Sequence, residues 1–168
     1  MQKIIILLLL LINVQFSYAE SLCEPTEKTL FSANMGKLKE NNFIKNGKIL
    51  SLCGDSNKLP LSFLTYKYGS KDKIELQITA PKDGKFNYTV DRNSPRGVDY
   101  TLAINKGKII YQIDSCQGMT CSQYGTVLTV TNSGKKIAEI VADNADQLDE
   151  FFGEVIKEGN HKSSNIFK

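Results

Sequence analysis

The sequence predicts a mainly β fold: one antiparallel domain of about seven or eight strands, closed as a barrel or packed as a sandwich, with a helix near the C-terminus. Two observations predict it. Runs of alternating apolar and polar residues recur along the chain, most clearly at Ile74, Leu76 and Ile78, and this period of two is typical of half-buried strands. Turn-forming pairs such as Asp83 with Gly84 then separate the runs at hairpin spacing.

Residues 1–19 have the pattern of a secretory signal peptide. Lys3 supplies the positive start, Ile4 to Ile12 is an unbroken apolar run, and Ala19 ends a stretch of small residues that a signal peptidase recognises. A lipoprotein signal is disfavoured because Leu22, not a small residue, precedes Cys23. We therefore expect a periplasmic or secreted protein, cleaved after Ala19, with no membrane span in the mature form.

The remaining residues predict a single domain over 20–158 and a flexible tail over 159–168. An apolar stripe predicts a helix over about 144–158 that packs on the sheet; it is formed by Leu148, Phe151, Phe152 and Val155. The formal charge of +3 falls by one when Lys3 leaves with the signal. So small a net charge does not indicate a nucleic-acid or membrane-surface partner.

Four cysteines in an exported chain predict two disulfides. We expect Cys116 to pair with Cys121, because only four residues separate them at a hairpin tip. Cys23 is then left to pair with Cys53. A metal or redox site is disfavoured, since the chain has no C-x-x-C motif and a single histidine, His161, in the tail.

Two stretches are predicted to be irregular. Asn34 to Asn46 is rich in Asn, Gly and Lys, which indicates a surface loop ending in a turn at Asn46 and Gly47. Asp91 to Gly97 is predicted to be a second loop, and it contains both arginines of the chain, Arg92 and Arg96. Guanidinium groups suit carboxylate or phosphate recognition, although a solvated loop with an ordinary surface ion pair is the alternative.

Several motifs resemble a family of small exported, periplasmic bacterial β-rich proteins of uncharacterised activity. The motifs are Glu27-Lys-Thr-Leu-Phe-Ser, Asn46-Gly-Lys-Ile-Leu-Ser-Leu-Cys53 and Leu64-x-Tyr66-x-Tyr68-Gly69. The resemblance covers most of residues 22–141 and implies export and a β-rich fold. Family members carry another cysteine where this chain has Ala33, so the resemblance does not supply the disulfide pairing.

The sequence offers no recognisable catalytic group. His161 lies in the tail, the carboxylates are scattered over turns and strand faces, and neither a phosphate-binding glycine loop nor a metal-ligand spacing occurs. We therefore predict no enzymatic activity, no cofactor and no metal.

Two functions remain open from the sequence. The first is a binding protein, such as an inhibitor or immunity protein that neutralises an envelope-acting enzyme; its partner would be an envelope or secreted protein. Its predicted contact residues are Arg92, Arg96, Gln117, Gly118 and Met119. The second is a carrier that holds a small apolar ligand in a barrel or sheet cleft.

Overall fold

The computed structural model describes residues 20–40, 42–56, 60–95, 97–117 and 126–143. These ranges contain nine strands and no helix. The strands are β1 (Lys28–Lys39), β2 (Asn42–Gly54), β3 (Leu64–Ser70), β4 (Lys73–Ala80), β5 (Lys85–Ser94), β6 (Gly97–Lys106), β7 (Ile109–Gln117), β8 (Thr126–Asn132) and β9 (Lys135–Ala142).

All nine strands form one antiparallel sheet in the order β4-β3-β2-β1-β9-β8-β7-β6-β5. The chain builds two meanders, β1 to β4 and β5 to β9. Pairing of Met35 with Ala142 and of Gly36 with Val141 joins β1 to β9 between them. The two edges of the sheet are β4 and β5, so hydrogen bonds do not close it.

The sheet is strongly curled. Only four residues, Pro81 to Gly84, join Ala80 at the end of β4 to Lys85 at the start of β5. Such a link spans at most about 18 Å at ~3.6 Å per residue, whereas a flat sheet with ~4.8 Å between strands would hold its edges about 38 Å apart. Across the interior, the rings of Tyr66 on β3 and Tyr111 on β7 lie 5.5 Å apart between centroids. The two meanders therefore face each other.

Side chains from both meanders fill the space between them. On β1, Phe31, Ala33 and Met35 alternate inward and are fully buried, as the pleat of a strand requires. They belong to one continuous hydrophobic cluster that also includes Leu50, Leu52, Leu64, Tyr66, Ile78, Phe86, Tyr88, Tyr100, Leu102, Ile104, Ile113 and Leu128. Burial of this much apolar surface is the main source of stability for the fold.

The prediction of an antiparallel β domain is confirmed, but the strand count was too low. The segment from Asn34 to Asn46 was predicted to be a loop. It instead forms the last part of β1 and the first part of β2. The pairs Lys37 with Ile44 and Leu38 with Phe43 continue the ladder there. A Cβ at Gly36 would lie 2.7 Å from the Phe43 ring, so this aromatic ring packs directly over the glycine and offsets its low strand propensity.

Asn46 and Gly47 lie inside β2 rather than at its start. Met35 pairs with Lys48 and Gly36 pairs with Lys45, which leaves these two residues as a bulge in the ladder. Gly47 has a φ of +72°, which a glycine adopts without strain. The predicted signal peptide (1–19), helix (about 144–158) and tail (159–168) lie outside the described residues.

Candidate functional site

The backbone brings two of the predicted contact stretches together at one margin of the sheet. The turn between β5 and β6 closes with Ser94 opposite Gly97, and the next residue, Val98, pairs with Gln117 at the end of β7. Cys116 pairs with Asp99. The segment of β5 that contains Arg92 and the start of the cysteine loop on β7 therefore lie at the same end of the sheet, with β6 between them.

The predicted contact residues are only partly within the described chain. Arg92 belongs to β5, which runs as far as Ser94; the expected loop from Asp91 to Gly97 is therefore much shorter than predicted. Gln117 is the last residue of β7. Arg96, Gly118, Met119 and Cys121 lie outside the described residues.

The predicted disulfide between Cys23 and Cys53 is confirmed, with Cα atoms 5.5 Å apart. Cys116 is also disulfide-bonded, whereas its predicted partner Cys121 lies outside the described residues. Because Cys53 is completely buried, the Cys23–Cys53 bond indicates an oxidising, extracytoplasmic setting.

The Cys23–Cys53 disulfide fastens an N-terminal strap, residues 20–27, to the outer face of β1, β2 and β3. Leu22 donates its backbone N–H to Ser51 Oγ at 3.0 Å, and Ser32 Oγ donates to the Glu20 carbonyl at 2.8 Å. The two serine hydroxyls lie 2.9 Å apart. The strap therefore satisfies polar groups that a bare sheet face would leave to water.

Beneath the strap lies an ion pair that the sequence analysis missed. Lys67 on β3 is 2% exposed, and its Nζ lies 2.8 Å from Glu27 Oε2 and 3.7 Å from Glu24 Oε1. Glu27 Oε2 also accepts the Glu24 backbone N–H at 2.7 Å, so one carboxylate holds both the turn of the strap and the buried ammonium. The alternation along β3 places Lys67 on the face opposite the core, where a lysine is ordinarily exposed. Nothing in the sequence indicates that residues 20–27 cover this face and bury the side chain.

The strap also contains a possible ligand grouping. Among the described residues, Cys23, Glu27 and Cys53 place three potential metal-ligating atoms within 4.8 Å of one another. The two sulfurs are bonded to each other, however, and a metal ligand must be a thiolate. In the oxidised protein this grouping is therefore a structural clasp.

Three tyrosines, Tyr66, Tyr68 and Tyr111, lie close together at the hydrophobic core, and Tyr68 and Tyr111 are only partly buried. Burial, with the neighbouring Tyr68 and Tyr111, raises the pKa of Tyr66 well above its ordinary value. Burial also raises the pKa of Tyr111. For Tyr68, burial raises the pKa, while a hydrogen bond from the Asn46 side chain opposes that rise. All three phenols are thus neutral at physiological pH and offer an aromatic lining.

No helix among the described residues has the length and apolar character needed to cross a bilayer. Comparison with family models, with curated proteins and with solved structures finds no match to this chain. The resemblance to the exported β-rich family therefore stays a prediction.

Proposed function

We propose that this chain is an exported periplasmic or secreted binding protein, such as an inhibitor or immunity protein against an envelope-acting enzyme, and that it is not itself an enzyme. The observation that carries the proposal is the pairing of Val98 with Gln117. It brings the backbone just after Arg96 next to the backbone that leads to Gly118 and Met119, and Arg92 lies one strand further along the sheet, on β5.

The scaffold behind this margin suits a rigid contact surface. The β6–β7 ladder is continuous from Lys106 with Ile109 to Val98 with Gln117, and its inward side chains Leu102, Ile104 and Ile113 are fully buried. The bonded Cys116 near the end of this ladder would fix one side of the contact surface, and a fixed backbone lowers the conformational entropy that binding costs.

We further propose that the curled sheet is a barrel whose edge strands, β4 and β5, are not hydrogen-bonded to each other.

The test is an affinity pull-down from envelope extract with the processed protein, followed by measurement of Kd for the recovered partner. We expect the pair Arg92→Ala with Arg96→Ala, or the pair Gln117→Ala with Met119→Ala, to weaken binding about thirtyfold, as loss of a hot spot does. The control pair, Lys37→Ala with Lys39→Ala, removes the same charge at the opposite margin. Unchanged affinity in both test pairs, with the fold intact, contradicts the proposed surface.

The tyrosine cluster favours a second candidate function, transport of a small apolar ligand. Half-buried Leu76, Val130 and Ile140 pack against the same core near Tyr68 and Tyr111, and aromatic-lined clefts hold such ligands in other proteins. Saturable binding of an apolar fluorescent probe, weakened by Tyr111→Ala, would support this function. Absence of saturable binding would exclude it.

A further inference from the structure

The strand topology gathers four turns at one margin of the sheet. In an antiparallel meander, alternate turns lie at the same end. Because β9 runs antiparallel to β1, the β8–β9 and β6–β7 turns share the end occupied by the β1–β2 and β3–β4 turns. We call the lysines of these four turns the lysine rim.

Each of the four turns carries two lysines, and all eight side chains are exposed. They are Lys37 with Lys39, Lys71 with Lys73, Lys106 with Lys108, and Lys135 with Lys136. Four acidic residues lie in these turns or beside them: Glu40, Asp72, Glu75 and Glu139. A chain of small net charge therefore concentrates positive charge at one end.

Most of this charge is not neutralised by neighbours. Lys71 pairs with Glu20 at 2.8 Å and Lys136 pairs with Glu139 at 2.6 Å, with more than half of each side chain exposed. Exposed pairs of this kind are weak and exchange readily. Within the described part of the chain, the other six rim lysines make no ion pair.

Exposed aliphatic side chains accompany the lysines. Four large hydrophobic residues are exposed among the described residues, and all four flank the turns of the lysine rim. They are Leu38 (45% exposed), Ile44 (50%), Ile74 (39%) and Ile137 (58%). Apolar residues on the surface are ordinary one at a time, but here they share one end with the lysines.

The end of the β1–β2 hairpin is two-stranded. Residues 37–39 pair only with residues 42–44, since β9 pairs with β1 at Met35 and Gly36 and β3 pairs with β2 only from Ile49 onward. Leu38 and Ile44 are thus carried on a two-stranded arm.

We propose that the lysine rim binds the surface of an anionic phospholipid bilayer. Lysines attract acidic headgroups, and isolated aliphatic side chains between them insert at the boundary of headgroups and acyl chains. Nucleic acid fits less well, because its recognition favours arginine and stacked aromatic rings. Arg92, in contrast, lies in β5 toward the opposite margin, and the exposed large hydrophobic side chains beside the rim lysines are aliphatic rather than aromatic.

The test is co-sedimentation of the processed, disulfide-intact protein with vesicles of phosphatidylcholine alone or with one-third phosphatidylglycerol. We expect binding only to the anionic vesicles, lost at about 0.5 M salt because surface charges are then screened. Lys37→Gln with Lys39→Gln should weaken binding about twenty-fivefold if both lysines contact the bilayer, at roughly fivefold for each lysine. Leu38→Ser with Ile44→Ser should weaken it severalfold with the charge unchanged.

The matched control is Lys28→Gln with Arg92→Gln, which removes the same charge at the opposite margin and should leave vesicle binding unchanged. Urea midpoints establish that every variant is folded. Equal binding to neutral and anionic vesicles, or equal loss in the control pair, would overturn the proposal. So would tight binding to DNA or to an acidic polypeptide without binding to vesicles, since the rim would then serve a different class of partner.

Discussion

The ammonium of Lys67 lies 2.8 Å from the carboxylate of Glu27, in a site where the lysine side chain is 2% exposed and the glutamate 13%. The ion pair joins the middle of β3 to the N-terminal strap. Removing one partner of such a pair leaves the other charge poorly solvated, which costs more than the pair itself contributes.

The first prediction follows from the unequal burial of the two partners. Glu27→Gln should lower the free energy of unfolding by about 2–4 kcal/mol, because it leaves an ammonium that water hardly reaches. Lys67→Met should cost less, since the Glu27 carboxylate can turn toward solvent. Urea denaturation with an unchanged m-value measures both. The exposed pair Lys136 with Glu139 is the control, and Lys136→Met should change stability by less than about 0.5 kcal/mol.

The second prediction concerns the Cys23–Cys53 disulfide, which spans a sequence separation of 30 residues. The chain-entropy model gives about 3–4 kcal/mol for a loop of this size. Cys23→Ser with Cys53→Ser should therefore lower the free energy of unfolding by that amount and make the strap sensitive to protease. The predicted bond between Cys116 and Cys121 would close a much shorter loop, so Cys116→Ser with Cys121→Ser should cost about 2 kcal/mol. A larger loss in the second variant would contradict the entropic account.

The third prediction concerns alkaline pH. Burial raises the pKa of Tyr66 in the folded protein, so the folded state keeps a proton that the unfolded state releases above pH ~10. Its contribution to stability is complete below that pH and is lost as the pH rises further. The difference in unfolding free energy between pH ~7 and pH ~11 should thus be smaller in Tyr66→Phe than in the parent chain. An identical difference in the two proteins would contradict the prediction.

The fourth prediction compares Gly69, which lies near the end of β3, with Gly107, which lies in the turn between β6 and β7. A Cβ at Gly69 would collide with the Lys73 carbonyl and lie 2.9 Å from the Glu75 backbone nitrogen. Gly69→Ala should therefore cost about 2–3 kcal/mol, because backbone atoms on β4 have to move. Gly107, with a φ of +62° and no atom near the added Cβ, should accept Asn almost without loss, since Asn tolerates this conformation. Thermal unfolding of the two variants gives the comparison.

Strands with strict alternation could be predicted from the sequence, and the buried Ile78, Phe86 and Tyr88 lie inward as expected. The two-stranded arm at the end of the β1–β2 hairpin could not be predicted from the sequence. Its Asn, Gly and Lys residues have the composition of a loop, and the strand forms there because each half pairs with the other and Phe43 packs over Gly36. Local propensity was outweighed by pairing.

Only part of the candidate functional features could be predicted, again because the others depend on contacts between residues distant in sequence. The pairing of Cys23 with Cys53 followed from residue counting, but burial of Lys67 depends on a strap that has no periodicity to reveal it. The rim lysines individually resemble ordinary solvated turn residues. Their common position depends on the antiparallel pairing of β1 with β9, which joins residues distant in sequence and cannot be inferred from either strand alone.

That pairing has a consequence for how the chain folds. Each meander is built from neighbours in sequence, so its hairpins can form early and independently. The contact of Met35 with Ala142, and of Gly36 with Val141, instead closes a loop of more than one hundred residues. The chain must lose the entropy of closing this loop before the β1–β9 contacts can stabilise it, so this ladder is expected to be the last to assemble. A chain rearranged to begin at Lys85 and end at Ala80 would bring β9 and β1 closer together in sequence, and should therefore fold faster than the natural order.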